Sequence, residues 1–344
     1  MNAFNQSDFK GYAGQNVLVT GADGFIGSHL TEELVRHGAH VTALALYNSF
    51  DGYGWLDDLP RETRSAIKAT RGDIRDAAFI RRIMERKDTV FHLAALIAIP
   101  HSYFAAQSYV DTNVAGTLNV LEAAREHGVG RLVHTSTSEV YGTALTMPIS
   151  EAHPLQGQSP YSASKIGADM MAEAYARSFG TPVAILRPFN TFGPRQSERA
   201  IIPTVLRQAL DPRVLSIQVG DITTIRDFSY VEDTVNAFLT IGQSLDIEFG
   251  QPYNAGSGYA VTIAELIDTT LAIISCNKPV EQQSTRIRPE RSEVRALLAD
   301  ATRFRSATGW QPRVSLLGGL ELTVAWWRAR LLDGRVRDDA SYAT

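Results

Sequence analysis

From Asn16 to Arg187 short apolar runs alternate with longer stretches of helical period. Asn16-Val17-Leu18-Val19-Thr20 is a β-rich run that ends in a glycine loop, and Ile26 to His37 reads as a helix closed by Gly38. Val41 to Leu46 is the next apolar strand, and Arg71-Gly72-Asp73 ends a third. Asp76 to Arg86 is helical, Thr89-Val90-Phe91-His92-Leu93 is a fourth strand, and Thr112 to Glu126 is a helix ending at Gly128. Arg131 to Thr135 follows as a fifth strand. Tyr161 to Phe179 is a long helix stopped by Gly180 and Pro182, and Val183 to Arg187 is a sixth strand. Strands alternating with helices of this length predict an α/β fold with a doubly wound parallel sheet.

After Pro188 the rhythm breaks, and proline, glycine and arginine become frequent, as in Gly193-Pro194-Arg195. The pattern predicts one domain over 13–189 that regains 229–255. A smaller C-terminal α/β lobe is expected over 190–228 and 256–332. The charged tail 333–344 is expected to fray.

Composition narrows the class. The chain has 344 residues, 44% of them hydrophobic and 20% charged, which suits a folded protein with a large core. A net charge of −4 gives no basic footprint for nucleic acid. There is no polybasic block, and no apolar run approaches the roughly 20 residues needed to span a bilayer, so no membrane partner is expected. The start Met1-Asn2-Ala3-Phe4-Asn5 lacks the pattern of a signal peptide, and a cytoplasmic location is the default. One cysteine, Cys276, excludes an intrachain disulfide framework; its neighbours Leu271, Ile273 and Ile274 make it a core thiol. The histidines show no close ligand spacing, and no metal is expected.

Gly21-Ala22-Asp23-Gly24-Phe25-Ile26-Gly27 follows the first strand and opens the first helix. Glycines there let the backbone turn sharply and approach a pyrophosphate, which sits on the helix N-terminus. In this context the loop predicts dinucleotide binding, and with it a Rossmann-type domain. An acidic residue usually ends the second strand and holds the adenosine ribose. Here the strand end reads Leu44-Ala45-Leu46-Tyr47-Asn48, with neither an acid nor an arginine, so NAD and NADP both stay open. Asp73 is either an adenine contact or a helix N-cap.

Tyr161 and Lys165 lie at i and i+4 and share one helix face. An ammonium beside a phenol favours the phenolate, which can take a proton from a sugar hydroxyl as hydride leaves the same carbon. The run Ser136-Thr137-Ser138-Glu139-Val140-Tyr141-Gly142 adds a carboxylate. Oxidising an alcohol needs one proton acceptor; oxidising a sugar and then expelling a group beside the new ketone needs two. Thr137 is expected to hydrogen-bond the reacting hydroxyl, Ser138 to orient it or its neighbour, and Glu139 to act as the second acid/base.

The Gly-x-x-Gly-x-x-Gly spacing together with Tyr161-Ser162-Ala163-Ser164-Lys165 resembles the extended short-chain dehydrogenases/reductases that act on nucleotide sugars, from Asn16 to Trp327. The resemblance implies an NAD or NADP cofactor, tightly bound and recycled, held by Gly21, Gly24, Phe25, Ile26, Gly27, Asp73, Ile74, Leu93, Ala94, Ala95, Tyr161 and Lys165. Thr137-Ser138-Glu139 resembles the triplet of GDP-mannose 4,6-dehydratases, whereas dTDP-glucose 4,6-dehydratases carry an aspartate at the position of Ser138. UDP-glucuronate decarboxylases share Ser136-Thr137-Ser138-Glu139, so this run alone leaves both open. Arg187-Pro188-Phe189-Asn190-Thr191-Phe192-Gly193-Pro194-Arg195 is similar to the segment that brings an asparagine to the sugar-nucleotide diphosphate. Arg226 matches the arginine that approaches the nucleotide end, Arg288-Pro289-Glu290-Arg291-Ser292-Glu293-Val294 resembles the Arg-Pro-x-Glu-Val pattern of GDP-mannose-type dehydratases, and both Arg226 and Arg288 suit a diphosphate. Asn190, Arg195, Arg226 and Arg288 are thus the implied substrate-binding set. Tyr47-Asn48-Ser49-Phe50, Gly54-Trp55-Leu56-Asp57, His92 to Pro100 and Pro154 to Pro160 resemble the bacterial NDP-N-acetylglucosamine 4,6-dehydratases of the legionaminic acid pathway.

The expected protein is an NAD(P)-dependent nucleotide-sugar 4,6-dehydratase with a nucleotide-sugar substrate. A UDP-glucuronate decarboxylase, a 4-epimerase and a non-catalytic nucleotide-binding regulator are the alternatives. The apolar face of Tyr161–Phe179, with Ile166, Met170, Met171, Ala174 and Tyr175, exceeds what its own sheet should bury, and a homodimer through a four-helix bundle is expected.

Overall fold

The computed structural model describes residues 9–336. The N-terminal run Met1–Asn5 and the tail from 337 onward lie outside the described residues. A seven-stranded parallel sheet forms the centre. Its strands are β1 (Asn16–Thr20), β2 (His40–Leu46), β3 (Lys68–Gly72), β4 (Thr89–His92), β5 (Arg131–Thr135) and β6 (Val183–Pro188), with β10 (Pro252–Ala255) at one edge. Their order is β10-β6-β5-β4-β1-β2-β3. The order reverses direction between β1 and β4, and in such sheets ligands bind outside the strand C-termini at that reversal. Val17, Val19, Val90, Phe91, Leu132, Val133, Ala184, Ile185 and Leu186 are buried, as strands covered on both faces require.

Helices cover both faces. α1 (Phe25–Arg36) follows β1, α2 (Ala77–Met84) follows β3, α3 (Gly116–Glu126) precedes β5, and α4 (Pro160–Phe179) precedes β6. Thr112–Glu126 is not one regular helix. Residues Val110–Ala115 form a π-helical turn that leads into α3. The wider turn lets Asn113 clamp the segment after β4: its Oδ1 accepts from Leu96 N at 2.8 Å and its Nδ2 donates to Leu96 O at 2.9 Å. Such turns gather at functional sites.

After β6 the chain builds a second, smaller unit from β7 (Asn190–Phe192), α5 (Ile201–Leu210), β8 (Ile217–Val219) and β9 (Ile225–Tyr230). α6 (Val231–Gln243) then packs on α1, and β10 joins β6, so this stretch returns to the large sheet. β11 (Ala260–Thr262), α7 (Ile263–Ile274), β12 (Val280–Gln282) and α8 (Leu316–Leu332) complete the lobe. β9 pairs antiparallel with β11 and parallel with β7, and β12 pairs with β8. The fold is a Rossmann-type α/β domain with a smaller lobe above the strand C-termini. No helix among the described residues is long and apolar enough to cross a membrane. Cys276 is a half-buried free thiol beside the Ala209 carbonyl.

Candidate active site

The glycine loop sits at the sheet reversal. A Cβ on Gly21 would lie 2.8 Å from Ala94 N, and one on Gly27 would overlap the Gly21 carbonyl oxygen, so only glycine permits this close winding. Gly21, Leu93 and Ala94 are thereby brought side by side, with Ala95 next in the chain. α1 begins at Gly24 without a side-chain cap and without an acidic residue in its first turn. The N–H groups of Phe25 and Ile26 therefore have no acceptor within their helix. A helix end left bare beside a glycine cradle fits a pyrophosphate. Asp73 gives its carboxylate to Arg75 (Nη2 at 2.6 Å), and Asp76, not Asp73, caps α2. The Ile74 side chain is buried in the core beside α3, and its carbonyl accepts from Asn119.

α4 opens with a reciprocal cap between Ser159 and Ser162, which places Tyr161 and Lys165 on its buried face. Tyr161 stands in an apolar pocket with Leu96, Ile99, Tyr103 and Tyr109, the Tyr109 ring edge-on at 6.3 Å. Burial pushes its phenol pKa up, and a hydrogen bond with Thr137 pulls it down. Lys165 Nζ donates to the Thr135 carbonyl at 2.6 Å rather than to Tyr161. In this arrangement burial outweighs the hydrogen bond with Thr137. Thr137 also caps the turn Ser138–Tyr141, accepting from Glu139 N at 3.2 Å. Ser138 is buried, whereas the Glu139 carboxylate accepts no side-chain hydrogen bond among the described residues. It lies within electrostatic reach of both Tyr161 and Arg226.

The lobe brings Arg226 and Arg288 together around Glu293, at 3.1 and 3.5 Å. Arg226 is buried, and Arg288 Nη1 is a buried donor without a hydrogen bond. The Asn190 Oδ1 atom is likewise buried and unpartnered. Such groups are costly unless a ligand completes them. Arg195 stands apart from this group: it pairs with Glu32 at 2.8 Å and ties its loop to α1. Tyr103 OH meets Ser292 Oγ at 2.7 Å, and Ser292 donates to Gln158 O at 2.6 Å, which links the lobe to the Tyr161 pocket.

A buried polar network below Lys165 escapes sequence reading. Asp169, one turn further along α4, accepts from Ser136 Oγ at 2.7 Å and from Arg187 Nη2 at 2.9 Å, and meets His134 Nε2 at 3.2 Å. Burial pushes the Asp169 carboxyl up, but His134 and Arg187 outweigh it and hold the pKa at about 2. Arg187 Nη1 donates to Tyr141 OH, which donates to Asn254 Oδ1. His92 bridges Thr20 and Thr117, and burial keeps both His92 and His134 neutral. The only sequence signal for Asp169 is its spacing, four residues beyond Lys165 and eight beyond Tyr161, on a face that is otherwise buried.

That network makes a prediction. Burial depresses Lys165 to about 8, and Asp169 is the charge that opposes the fall. Arg187 is fixed positive and the histidines are neutral, so Asp169→Asn should lower Lys165 further. The ammonium would then be lost at lower pH, and the alkaline limb of kcat/KM should move down. Removing the partner of buried Arg187 should also cost about 3–5 kcal/mol of stability in a denaturant melt. A limb that stays in place or moves up would contradict the coupling.

A parallel sheet with a glycine-loop reversal and a Tyr-x-x-x-Lys helix under a separate lobe defines an extended short-chain dehydrogenase/reductase. Within that class the chain belongs to the GDP-mannose 4,6 dehydratase family, whose model matches residues 18–323. A dTDP-glucose 4,6-dehydratase of Actinoplanes sp. is 34% identical over 319 residues, covering 91% of this chain and 98% of the relative. A UDP-glucose 4-epimerase of Mycolicibacterium smegmatis is 33% identical over 317 residues, covering 90% and 98%. Among solved structures, DesIV, a dTDP-glucose 4,6-dehydratase from Streptomyces venezuelae with NAD bound, superposes with a TM-score of 0.81 at 30% identity, covering 92% and 98%. The family thus comprises enzymes of nucleotide-sugar chemistry, dehydratases and epimerases alike. Among the described residues no group of histidine, cysteine and carboxylate side chains could hold a metal ion.

Proposed function

We propose that this chain is an NAD(P)-dependent nucleotide-sugar 4,6-dehydratase acting on an NDP-N-acetylglucosamine. The observation that carries the reading is Glu139, a carboxylate that accepts no side-chain hydrogen bond among the described residues and whose charge acts on Tyr161. A nicotinamide cofactor held at the glycine loop would supply the acceptor for the C4 hydride and its later donor. Tyr161, helped by Thr137, takes the C4 hydroxyl proton. The C4 ketone so formed acidifies C5–H. Glu139 removes that proton and then protonates the C6 hydroxyl, which leaves as water. Return of the hydride to C6 and delivery of a solvent proton to C5 would give an NDP-4-keto-6-deoxy sugar. Arg226 and Arg288, which share Glu293, would hold the diphosphate end through their guanidinium groups, and Asn190 through its amide N–H. Exposed Ile97 beside Leu96 supplies apolar surface suited to an acetamido methyl.

The relative at 33% identity that is a 4-epimerase supports a second reading, in which Glu139 only binds substrate. Incubation with UDP-N-acetylglucosamine and other hexose nucleotides separates the two by mass. Loss of water supports the dehydratase; an unchanged mass across the panel removes it.

The same reading includes a dimer. Of the apolar face of α4, Tyr175 is buried and Ile166 and Met171 pack within their own chain, but Met170 on α4 and Val110 on the π-turn are exposed although apolar, and α3 packs alongside α4. Light scattering should give twice the chain mass at micromolar concentration; a monomer would overturn the four-helix interface.

A further inference from the structure

The second strand lacks the acid that holds the adenosine ribose in NAD enzymes. Ala45 is wholly buried, and Leu46 and Tyr47 present exposed apolar surface, 56% and 69% accessible. None of these side chains can distinguish a ribose hydroxyl from a phosphate through a charge. The structure places a carboxylate there from another segment. Asp23, inside the glycine loop, reaches across to the end of β2, where its Oδ2 accepts from Leu46 N at 3.2 Å. The loop after β2 clasps it from the far side: Trp55 N donates to the Asp23 carbonyl at 3.0 Å. Gly54, at φ +57°, leaves so little room that a Cβ would stand 2.7 Å from that carbonyl. Asp23 is therefore fixed at the junction of cradle and strand, with its other carboxylate oxygen free of side-chain donors. Burial raises its pKa, as in a carboxylate short of donors.

We infer that Asp23 replaces the missing strand-end acid, accepts from the ribose 2′-hydroxyl and makes this chain select NAD over NADP. The inference rests on dinucleotide binding at the glycine loop. The surrounding charges point the same way. Arg71 on β3, whose Cα pairs with that of Ala45, is the cation placed to attract a 2′-phosphate. It is already paired with Asp51 and stacked 4.4 Å from the centre of the Tyr53 ring. Asp57 adds a further carboxylate, bound to Tyr53 N at 2.7 Å. At this corner the carboxylates of Asp23, Asp51 and Asp57 outnumber the cations Arg71 and Arg64, the latter bound to the Asp57 carbonyl at 3.2 Å, and like charge is a strong device for rejecting a ligand.

The test uses the full chain stripped of bound nucleotide. Dissociation constants for NAD and NADP are measured by titration calorimetry, with no turnover involved. The unaltered protein should bind NAD at least tenfold tighter, and Asp23→Asn, which keeps an oxygen for Leu46 N, should narrow the ratio by about tenfold, mainly by improving NADP. In the unaltered protein the ratio should also narrow as salt is raised, since screened charges repel less, and this arm needs no variant. Equal affinities in the unaltered protein, a preference for NADP, or a ratio indifferent to both the substitution and salt would overturn the role of Asp23. Binding of neither dinucleotide would instead remove the dinucleotide reading itself.

Discussion

Tyr161→Phe should abolish reduction of the nicotinamide when substrate is added, with turnover falling by about 10²–10⁴-fold or more, the range for losing a positioned acid/base. The phenylalanine ring keeps the packing against Leu96, Ile99, Tyr103 and Tyr109 and loses only the hydroxyl and its bond with Thr137. Stability should therefore change by only about 1 kcal/mol, and NAD affinity should hold. What goes is the pocket phenol that Thr137 hydrogen-bonds; the neighbouring hydroxyls of Tyr103 and Tyr109 are bonded to Ser292 and to the Ala98 carbonyl. Burial raises the Tyr161 pKa in this structure, and Lys165 donates one of its three N–H groups to the Thr135 carbonyl. Tyr161 thus waits as a phenol, and its deprotonation depends on charges that arrive with the ligands. Near-ultraviolet absorbance after mixing enzyme with nucleotide sugar reads the step directly. A variant that still reduces the nicotinamide at a rate within tenfold of normal would show that another base serves C4.

The parts of the site that follow a local period were legible. The buried strands announce themselves as apolar runs, the glycine loop lies between a strand and a helix, and Tyr161 with Lys165 needs only the helical repeat. What long-range packing decides was not legible. Arg195 lies in a run that resembles a substrate-binding segment, yet Glu32 claims it from 163 positions away. Glu293 stands in a motif read for its arginine, and only the tertiary fold shows it bridging Arg226 to Arg288. The π-turn at Val110–Ala115 is invisible because its residues suit an α-helix equally well; the demand of Leu96 on Asn113 accompanies the wider turn. Asp23 and Asp169 were hidden for opposite reasons. One sits in a loop read for its glycines, the other on a helix face read for its tyrosine and lysine.

Glu139→Gln should separate oxidation from elimination. The amide keeps the side chain's shape and removes the proton acceptor, while Tyr161, Lys165 and Thr137 stay in place. Oxidation at C4 should proceed and elimination should slow by about 10²–10⁴-fold. Reduced nicotinamide should then accumulate on the enzyme, where the unaltered protein shows little. Exchange of the C5 hydrogen with deuterated solvent should be suppressed in the same variant. Because the Glu139 side chain accepts no side-chain hydrogen bond among the described residues, the substitution breaks no such contact, and a lower rate cannot be blamed on one. Its charge does act on its surroundings: it favours the protonated states of Tyr161 and Arg226. Losing it should make Tyr161 easier to deprotonate, so the first step should not slow and the contrast between the two steps should widen. Turnover at the normal rate in Glu139→Gln would make Glu139 a solvated turn residue, and a 4-epimerase would then be the better account of this site.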